Sequence, residues 1–364
     1  MTSVLITGGA GFIGANFTRR WRARRPADAI VVLDALTYAG RRANLEGAPD
    51  IVFVQGDICD QALVERLLAE HQTDTIVHFA AESHVDRSIH GPDAFIETNV
   101  VGTHALLKAA RKAWLDTGSG RSHRFHHVST DEVYGSLGPD DPAFSETTAY
   151  APNSPYSASK AASDHLVRAY NRTFGLETTI SNCSNNFGPW QHPEKLIPLF
   201  LINALHGRAL PVYGDGMNVR DWLHVADHCA AIELILAKGR PGETYNVGGG
   251  SELANLTLIE RLCAAVDAAF AADPALAARF ESAPAGSGGA SGKLVSFVAD
   301  RAGHDRRYAI DDAKIRAELG YAPERDFAAS LAATVSWYLD NEAWWRSVMS
   351  GDYESWLRTN YKRA

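Results

Sequence analysis

The chain has 364 residues, enough for a sizeable core in one large domain plus a smaller one. Its 46% apolar and 21% charged residues are ordinary for a soluble globular protein. A formal net charge of −8 argues against nucleic acid or an anionic membrane as the main partner, while leaving room for an anionic small molecule held by local cations.

In chain order, the first half alternates short apolar runs with helix-period segments. Strands are predicted at 4–7, 30–33, 51–54, 75–79, 124–129 and 178–181. Amphipathic helices are predicted at 12–24, 60–70, 94–114 and 156–174. Strand–helix alternation of this kind implies an α/β fold, a Rossmann-type doubly wound parallel sheet whose ligand site lies at the carboxyl ends of the strands. After about residue 185 Pro and Gly become frequent, and the helices are separated by short strand-like pieces. We therefore divide the chain into a domain over 1–185 and a smaller C-terminal α/β lobe over 186–364. The Gly/Ser-rich stretch AGSGGASGK (285–293) reads as a flexible surface insertion. The Trp-rich TVSWYLDNEAWW (334–345) reads as a terminal helix packed on the body.

The four cysteines (Cys59, Cys183, Cys229, Cys263) show no paired spacing and read as reduced core thiols of a cytosolic protein. The first strand starts almost at once with no signal-peptide pattern, and no apolar run approaches a membrane span, so a cytoplasmic location is expected. His84, His90, His123, His126 and His127 do not suggest a metal site. His126 and His127 are neighbours on a predicted strand and so face opposite sides, and no carboxylate or Cys stands at ligand spacing.

The first strand runs into TGGAGFIG, with Gly8, Gly11 and Gly14 at intervals of three. Such a turn lets backbone N–H groups and a helix N-terminus approach a pyrophosphate. Asp34, ending the second strand twenty residues after Gly14, suits a ribose with two free hydroxyls and favours NAD over NADP. Arg41 and Arg42 could hold a 2′-phosphate but sit deeper in the following loop. Asp57, ending the third strand, is placed for the adenine edge.

Two further groupings carry chemistry. Tyr156 and Lys160 stand at i and i+4, so both side chains can enter one cleft, and a nearby ammonium and positive nicotinamide would lower the phenol's pKa. Asp131 and Glu132 stand side by side just beyond the fifth strand. Two adjacent carboxylates in a desolvated cleft can be driven apart in pKa, leaving one acid and one base. Taken alone, the pair could equally be solvated loop residues or a helix cap.

The glycine loop, Thr130 and the Tyr156–Lys160 pair resemble the extended short-chain dehydrogenase/reductase family. More specifically, AAESHVDRSIHGPDAFIETNVVGT (80–103), STDEVYG (129–135), ETTAYAPNSPYSASKAASDHLVRAY (146–170), NCSNNFGP (182–189), PEKLIPL (193–199) and DRAGHDRRYAI (300–310) resemble the dTDP-glucose 4,6-dehydratase family. That resemblance implies oxidation at carbon 4 of the hexose, loss of water across carbons 5 and 6, and return of the hydride to carbon 6, in deoxysugar biosynthesis. It implies that Tyr156 takes the 4-hydroxyl proton, Lys160 tunes Tyr156 and Thr130 binds the oxygen. Glu132 is implied as the base at carbon 5, and Asp131 as the acid for the departing 6-hydroxyl.

It further implies NAD contacts from Phe12, Ile13, Asp34, Asp57, Ile58, Phe79, Ala80, Ala81, Ser83, Thr98 and Asn186. Ser83, Asn185, Lys195, Leu196, Pro211, Tyr213, Arg220, Asn255, Arg301 and His304 are implied for the nucleotide sugar, with Arg220 and Arg301 as diphosphate partners. A homodimer through helices 94–114 and 156–174 is also implied. The chain departs from the family pattern at Ala35, where Lys is common, in a short loop between Gly135 and Glu146, in DRAGH for DRPGH, and in the 285–293 insertion. None removes a reacting group. A UDP- or CDP-hexose dehydratase, a 4-epimerase and a non-catalytic NAD-binding module are the competing readings. An epimerase needs no acid pair, and a non-catalytic module usually loses Tyr or Lys.

Overall fold

The computed structural model describes residues 2–117, 120, 122–300 and 303–349. The first six strands are β1 (Ser3–Thr7), β2 (Ala29–Asp34), β3 (Ile51–Gln55), β4 (Thr75–His78), β5 (Arg124–Thr130) and β6 (Thr178–Cys183). They are followed by β7 (Asn185–Phe187), β8 (Leu210–Tyr213), β9 (Val219–His224), β10 (Thr244–Val247), β11 (Glu252–Ala254) and β12 (Val295–Val298). The main sheet has the order β10-β6-β5-β4-β1-β2-β3, with every pairing parallel.

Parallel strands covered on both faces read as continuous apolar runs, which is why these six were visible in the sequence. The helices of the first half are α1 (Phe12–Arg24), α2 (Gln61–Glu70), α3 (Val85–His90), α4 (Asp93–Phe95), α5 (Thr103–Arg111) and α6 (Pro155–Phe174). Leu5, Leu33, Ile76, Phe125 and Ile180 pack on one face of the sheet with Leu67 of α2, Leu106 of α5 and Val167 of α6. The alternate residues Val4, Ile6, Val32, Val77 and Val128 pack on the other face with Phe17 and Trp21 of α1. His126 and His127 obey the same alternation: His126 meets Thr179 and Ser181, and His127 meets Lys160 on the opposite face.

Between α4 and α5 the helix widens into a π-helical stretch, Ile96–Gly102. That stretch puts Thr98 on the cleft wall, Asn99 against Ser159, and Ile96 and Val101 at the surface. Helix α6 starts with reciprocal Ser154–Ser157 capping and Pro155 at its first position, and stops at Gly175 with φ of 74°. The position of Tyr156 and Lys160 is therefore fixed within the first turns of a well-capped helix.

The chain then leaves the main sheet and returns to it. Helices α7 (Leu196–Leu205), α8 (Val225–Lys238) and α9 (Asn255–Ala272) follow; α8 packs Val225, Cys229 and Ile232 on the main sheet. Strand β10 pairs with β6, although its sequence lies well past residue 185. The smaller sheet has the order β11-β9-β7, and β8 pairs with β12. Their core joins Phe187, Leu199, Trp222 and Leu262 to Tyr338 and Trp345 of the terminal helices 327–340 and 342–348. The Gly/Ser-rich stretch is not a free loop: Pro284–Ser287 and Ser291–Leu294 form short 3-10 turns, and buried Ser291 donates to Asp267 at 2.6 Å. The composition suggested a flexible loop because it does not show that Asp267 on α9 supplies an acceptor.

Candidate active site

The carboxyl ends of β1, β2, β4, β5 and β6 open into one cleft of about 310 Å³, at the point where strand order reverses between β1 and β4. Gly8 follows β1 with φ of 69°, and a Cβ there would stand 2.5 Å from the Ala80 nitrogen. A Cβ on Gly14 would stand 2.2 Å from the Gly8 carbonyl oxygen. Side chains are therefore barred from both places, and bare backbone faces the cleft beside the start of α1. Gly11, Phe12 and Ile13 complete this wall.

Asp34 closes the cradle on the β2 side, where its two oxygens accept from the Ala10 and Leu36 N–H groups at 2.9 and 2.8 Å. Burial raises its pKa, and those two hydrogen bonds oppose the rise. Spare lone pairs on both oxygens leave it able to accept from ribose hydroxyls. Neither Arg41 nor Arg42 belongs to the cleft lining. These features fit a dinucleotide with an unphosphorylated adenosine ribose. Asp57, Ile58, Phe79, Ala80, Ala81, Ser83, Thr98 and Asn186, all expected from the sequence, line the same cleft.

The groups expected from the sequence to react come together here. Thr130, Asp131, Glu132, Tyr156 and Lys160 all line the cleft. The Thr130 hydroxyl caps the short helical turn Asp131–Tyr134 and donates to Asp131 Oδ1 at 3.3 Å. Asp131 is 2% exposed, and its Oδ2 has no hydrogen-bond partner among the described residues. Burial, then the neighbouring Glu132 and Asp221, push its pKa well above the usual carboxylate range. That direction favours the protonated form of Asp131 over Glu132, which is more open and also lines the adjoining cavity.

Lys160 is fully buried, donates to the Val128 carbonyl at 2.9 Å, and is held down to about 8 chiefly by burial. For Tyr156 the sequence expectation of a lowered pKa rested on an ammonium together with a positive nicotinamide; the protein alone sets a different starting point. Its phenol is pushed up, first by burial and then by Glu132, with a hydrogen bond to Thr130 opposing the rise.

A second cavity of about 200 Å³ adjoins the first and shares Ser83, Glu132, Asn185 and Lys195 with it. Leu196, Pro211, Tyr213, Arg220, Asn255 and His304 line it, as the sequence implied. Arg301 lies outside the described residues. Lys195 Nζ donates to the Ser83 carbonyl at 2.9 Å and joins the two walls. Arg220 lies over the Tyr308 ring at 4.2 Å and donates to the Asp305 carbonyl. Asn185 and Asn255 each keep a buried side-chain oxygen without a partner among the described residues, which fits a wall built to meet a polar ligand.

Sequence reasoning did not single out several lining residues. Tyr38 lies under the Arg87 guanidinium at 3.8 Å, and Arg87 pairs with buried Glu194 at 3.2 Å. Glu194 stands beside the expected Lys195 in PEKLIP, so its neighbourhood was the available signal. Tyr308 and Trp222 reach the second cavity only through the fold. No group of three or more metal-ligating side chains is found among the described residues.

The profile of the GDP-mannose 4,6 dehydratase family matches residues 5–334. The dTDP-glucose 4,6-dehydratase of Xanthomonas campestris pv. campestris (strain B100) is 55% identical over 358 residues, covering 97% of each chain. The dTDP-glucose 4,6-dehydratase 1 of Escherichia coli (strain K12) is 50% identical, covering 99% of each. Among solved structures, DesIV, the dTDP-glucose 4,6-dehydratase of Streptomyces venezuelae with NAD and TYD bound, superposes with a TM-score of 0.82 at 49% identity. That alignment covers 95% of this chain and all of the other. Identity of this depth, running from the glycine cradle through the sugar-side cavity, means that the chain belongs to the dTDP-glucose 4,6-dehydratase family of extended short-chain dehydrogenases/reductases.

Proposed function

We propose that this protein is an NAD-dependent hydro-lyase that converts dTDP-glucose to dTDP-4-keto-6-deoxyglucose, for deoxysugar biosynthesis. The observation that carries the reading is the unequal acid pair: Asp131, buried on the wall of the first cavity with its pKa pushed up, beside the more open Glu132, which lines both cavities. Gly8, Gly11, Asp34 and Asp57 would hold NAD, and the second cavity would take the nucleotide sugar. When bound, NAD supplies the two-electron acceptor for carbon 4 and the same hydride for carbon 6, and its positive nicotinamide favours the Tyr156 phenolate.

Tyr156 accepts the 4-hydroxyl proton as carbon 4 becomes a ketone, while Thr130 holds the oxygen. The ketone acidifies the proton on carbon 5, and Glu132 removes it. Asp131 gives its proton to the departing 6-hydroxyl, which leaves as water. Glu132 then returns a proton to carbon 5. Lys160, one turn along α6, supplies the positive charge that favours the phenolate. A 4-epimerase would leave the acid pair without work.

Purified protein given dTDP-glucose in deuterium oxide, without added NAD, should yield the 4-keto-6-deoxy product with deuterium at carbon 5 and no net reduced cofactor. A 4-epimer, or no conversion by folded protein carrying NAD, contradicts the reading. Two copies would pair through the surface of α3 to α6, where Ile89, Ile96 and Val101 are exposed. Sedimentation should then give a dimer that Val101→Asp dissociates.

A further inference from the structure

Four residues on one face of α6 recur at intervals of four: Tyr156, Lys160, Asp164 and Arg168. The first two belong to the reaction described above. Asp164 is fully buried and does not line the cleft. Its Oδ2 accepts from the Ser129 hydroxyl at 3.0 Å and from the Tyr150 hydroxyl at 2.8 Å. Tyr150 in turn accepts from Arg168 and Asn182, each at 3.2 Å. His127 Nε2 stands 3.3 Å from both Asp164 Oδ1 and Lys160 Nζ. A continuous chain therefore runs from Lys160 through His127, Asp164 and Tyr150 to the half-buried Arg168.

We propose that Asp164 is the counter-charge of Lys160, a positioning residue that keeps the ammonium protonated where it serves Tyr156. The inference rests on the role given to Lys160 above. A buried ammonium with no anion beside it gives up its proton. The other groups facing Lys160 do not supply that anion. On β5, His127 is held neutral by burial, then by Lys160 itself. On β4, His78, its ring 5.1 Å from that of His127, is likewise held neutral by burial. On β6, burial pushes the Cys183 thiol up, and on α6 it does the same to the Tyr156 phenol.

Asp164 is raised by burial too, but Lys160, Ser129, Tyr150 and Arg168 all oppose that rise. Among the forces on Lys160, burial lowers its pKa and Asp164 is the leading influence raising it. His127 completes the arrangement. Its Nε2 accepts from a charged Lys160, or carries the ring proton and donates to Asp164 once Lys160 is neutral.

The test is direct titration of Lys160 by NMR in protein labelled with 13C at lysine Cε, the resonance being identified by its loss in Lys160→Arg. The native protein should show a midpoint near pH 8. In Asp164→Asn the midpoint should fall by about one to three pH units, the usual effect of removing an opposite charge. The alkaline limb of kcat should move with it, while KM for the nucleotide sugar holds. Folded Asp164→Asn with an unmoved Lys160 midpoint overturns the proposal. If that variant does not fold, Tyr150→Phe strips one donor from Asp164 and should move the midpoint the same way by less; an unmoved midpoint there overturns it as well. The titration reads the ammonium itself, so its outcome is independent of which sugar nucleotide is turned over.

Discussion

The two halves of the cleft are built from different materials. On the dinucleotide side the wall turns on bare backbone at Gly8 and Gly14, places no side chain can occupy, with Asp34 closing the cradle. On the sugar side it is side chains: Arg220 over Tyr308, Lys195 on the Ser83 carbonyl, and Asn185 and Asn255 with spare oxygens. A backbone wall is specified by a few residues in one short segment. A side-chain wall draws on β8, β9, α7, α9 and the loop at His304, which only the fold brings together. Glu132 stands where the two walls meet, next to Asp131 on the first.

The largest effects should come from that junction. Asp131→Asn removes the proton donor and should slow elimination by about 10²- to 10⁴-fold in kcat. The same change should raise Tm at neutral pH. A carboxylic acid whose folded pKa lies above its unfolded value loses stability as pH rises through that window, and Asn escapes the cost. In the native enzyme the elimination step, followed apart from the alkaline limb of kcat that Lys160 sets, should slow as rising pH takes the proton from Asp131. A pH profile of elimination and a melting curve of the variant check both.

Separate substitutions should then split the two walls. Gly8→Ala forces a Cβ into a left-handed turn and onto the Ala80 nitrogen, costing about 1–3 kcal/mol. The purified variant should carry less NAD than the native protein, with binding of thymidine diphosphate intact. Arg220→Gln removes a charged donor worth about 1.5–3 kcal/mol. Thymidine diphosphate should bind about ten- to a hundredfold more weakly, measured by calorimetry, with NAD content unchanged. Loss of both ligands in either variant would break the distinction between the walls. Smallest should be Ser291→Ala, away from the cleft, which loses its bond to Asp267 and should cost about 1 kcal/mol in denaturant unfolding with no change in kcat.

The same division explains what the sequence made legible. The six strands and four helices of the first half were visible because buried parallel strands leave apolar runs and their helices leave a period. Strand β10 was not, since TYNV is too short and mixed to announce that it returns to the first sheet. The glycine cradle, the Tyr156–Lys160 pair and the acid pair were each local and so visible as groupings, but the acid pair took its role only from the family resemblance. Tyr38, Glu194, Trp222 and Tyr308 were not, because their positions depend on long-range packing. The upward pKa shift of Tyr156 also escaped, because spacing reveals a neighbouring charge but not the depth of burial.

The central claim is that Asp131 and Glu132 serve elimination alone, while Tyr156 and Lys160 serve the redox step. Glu132→Gln, mixed with dTDP-glucose in a single turnover and followed by the absorbance of reduced nicotinamide, tests it most directly. The account predicts that the reduced cofactor forms at near-native rate and persists, with no 4-keto-6-deoxy product. Equal slowing of reduction and elimination would contradict it.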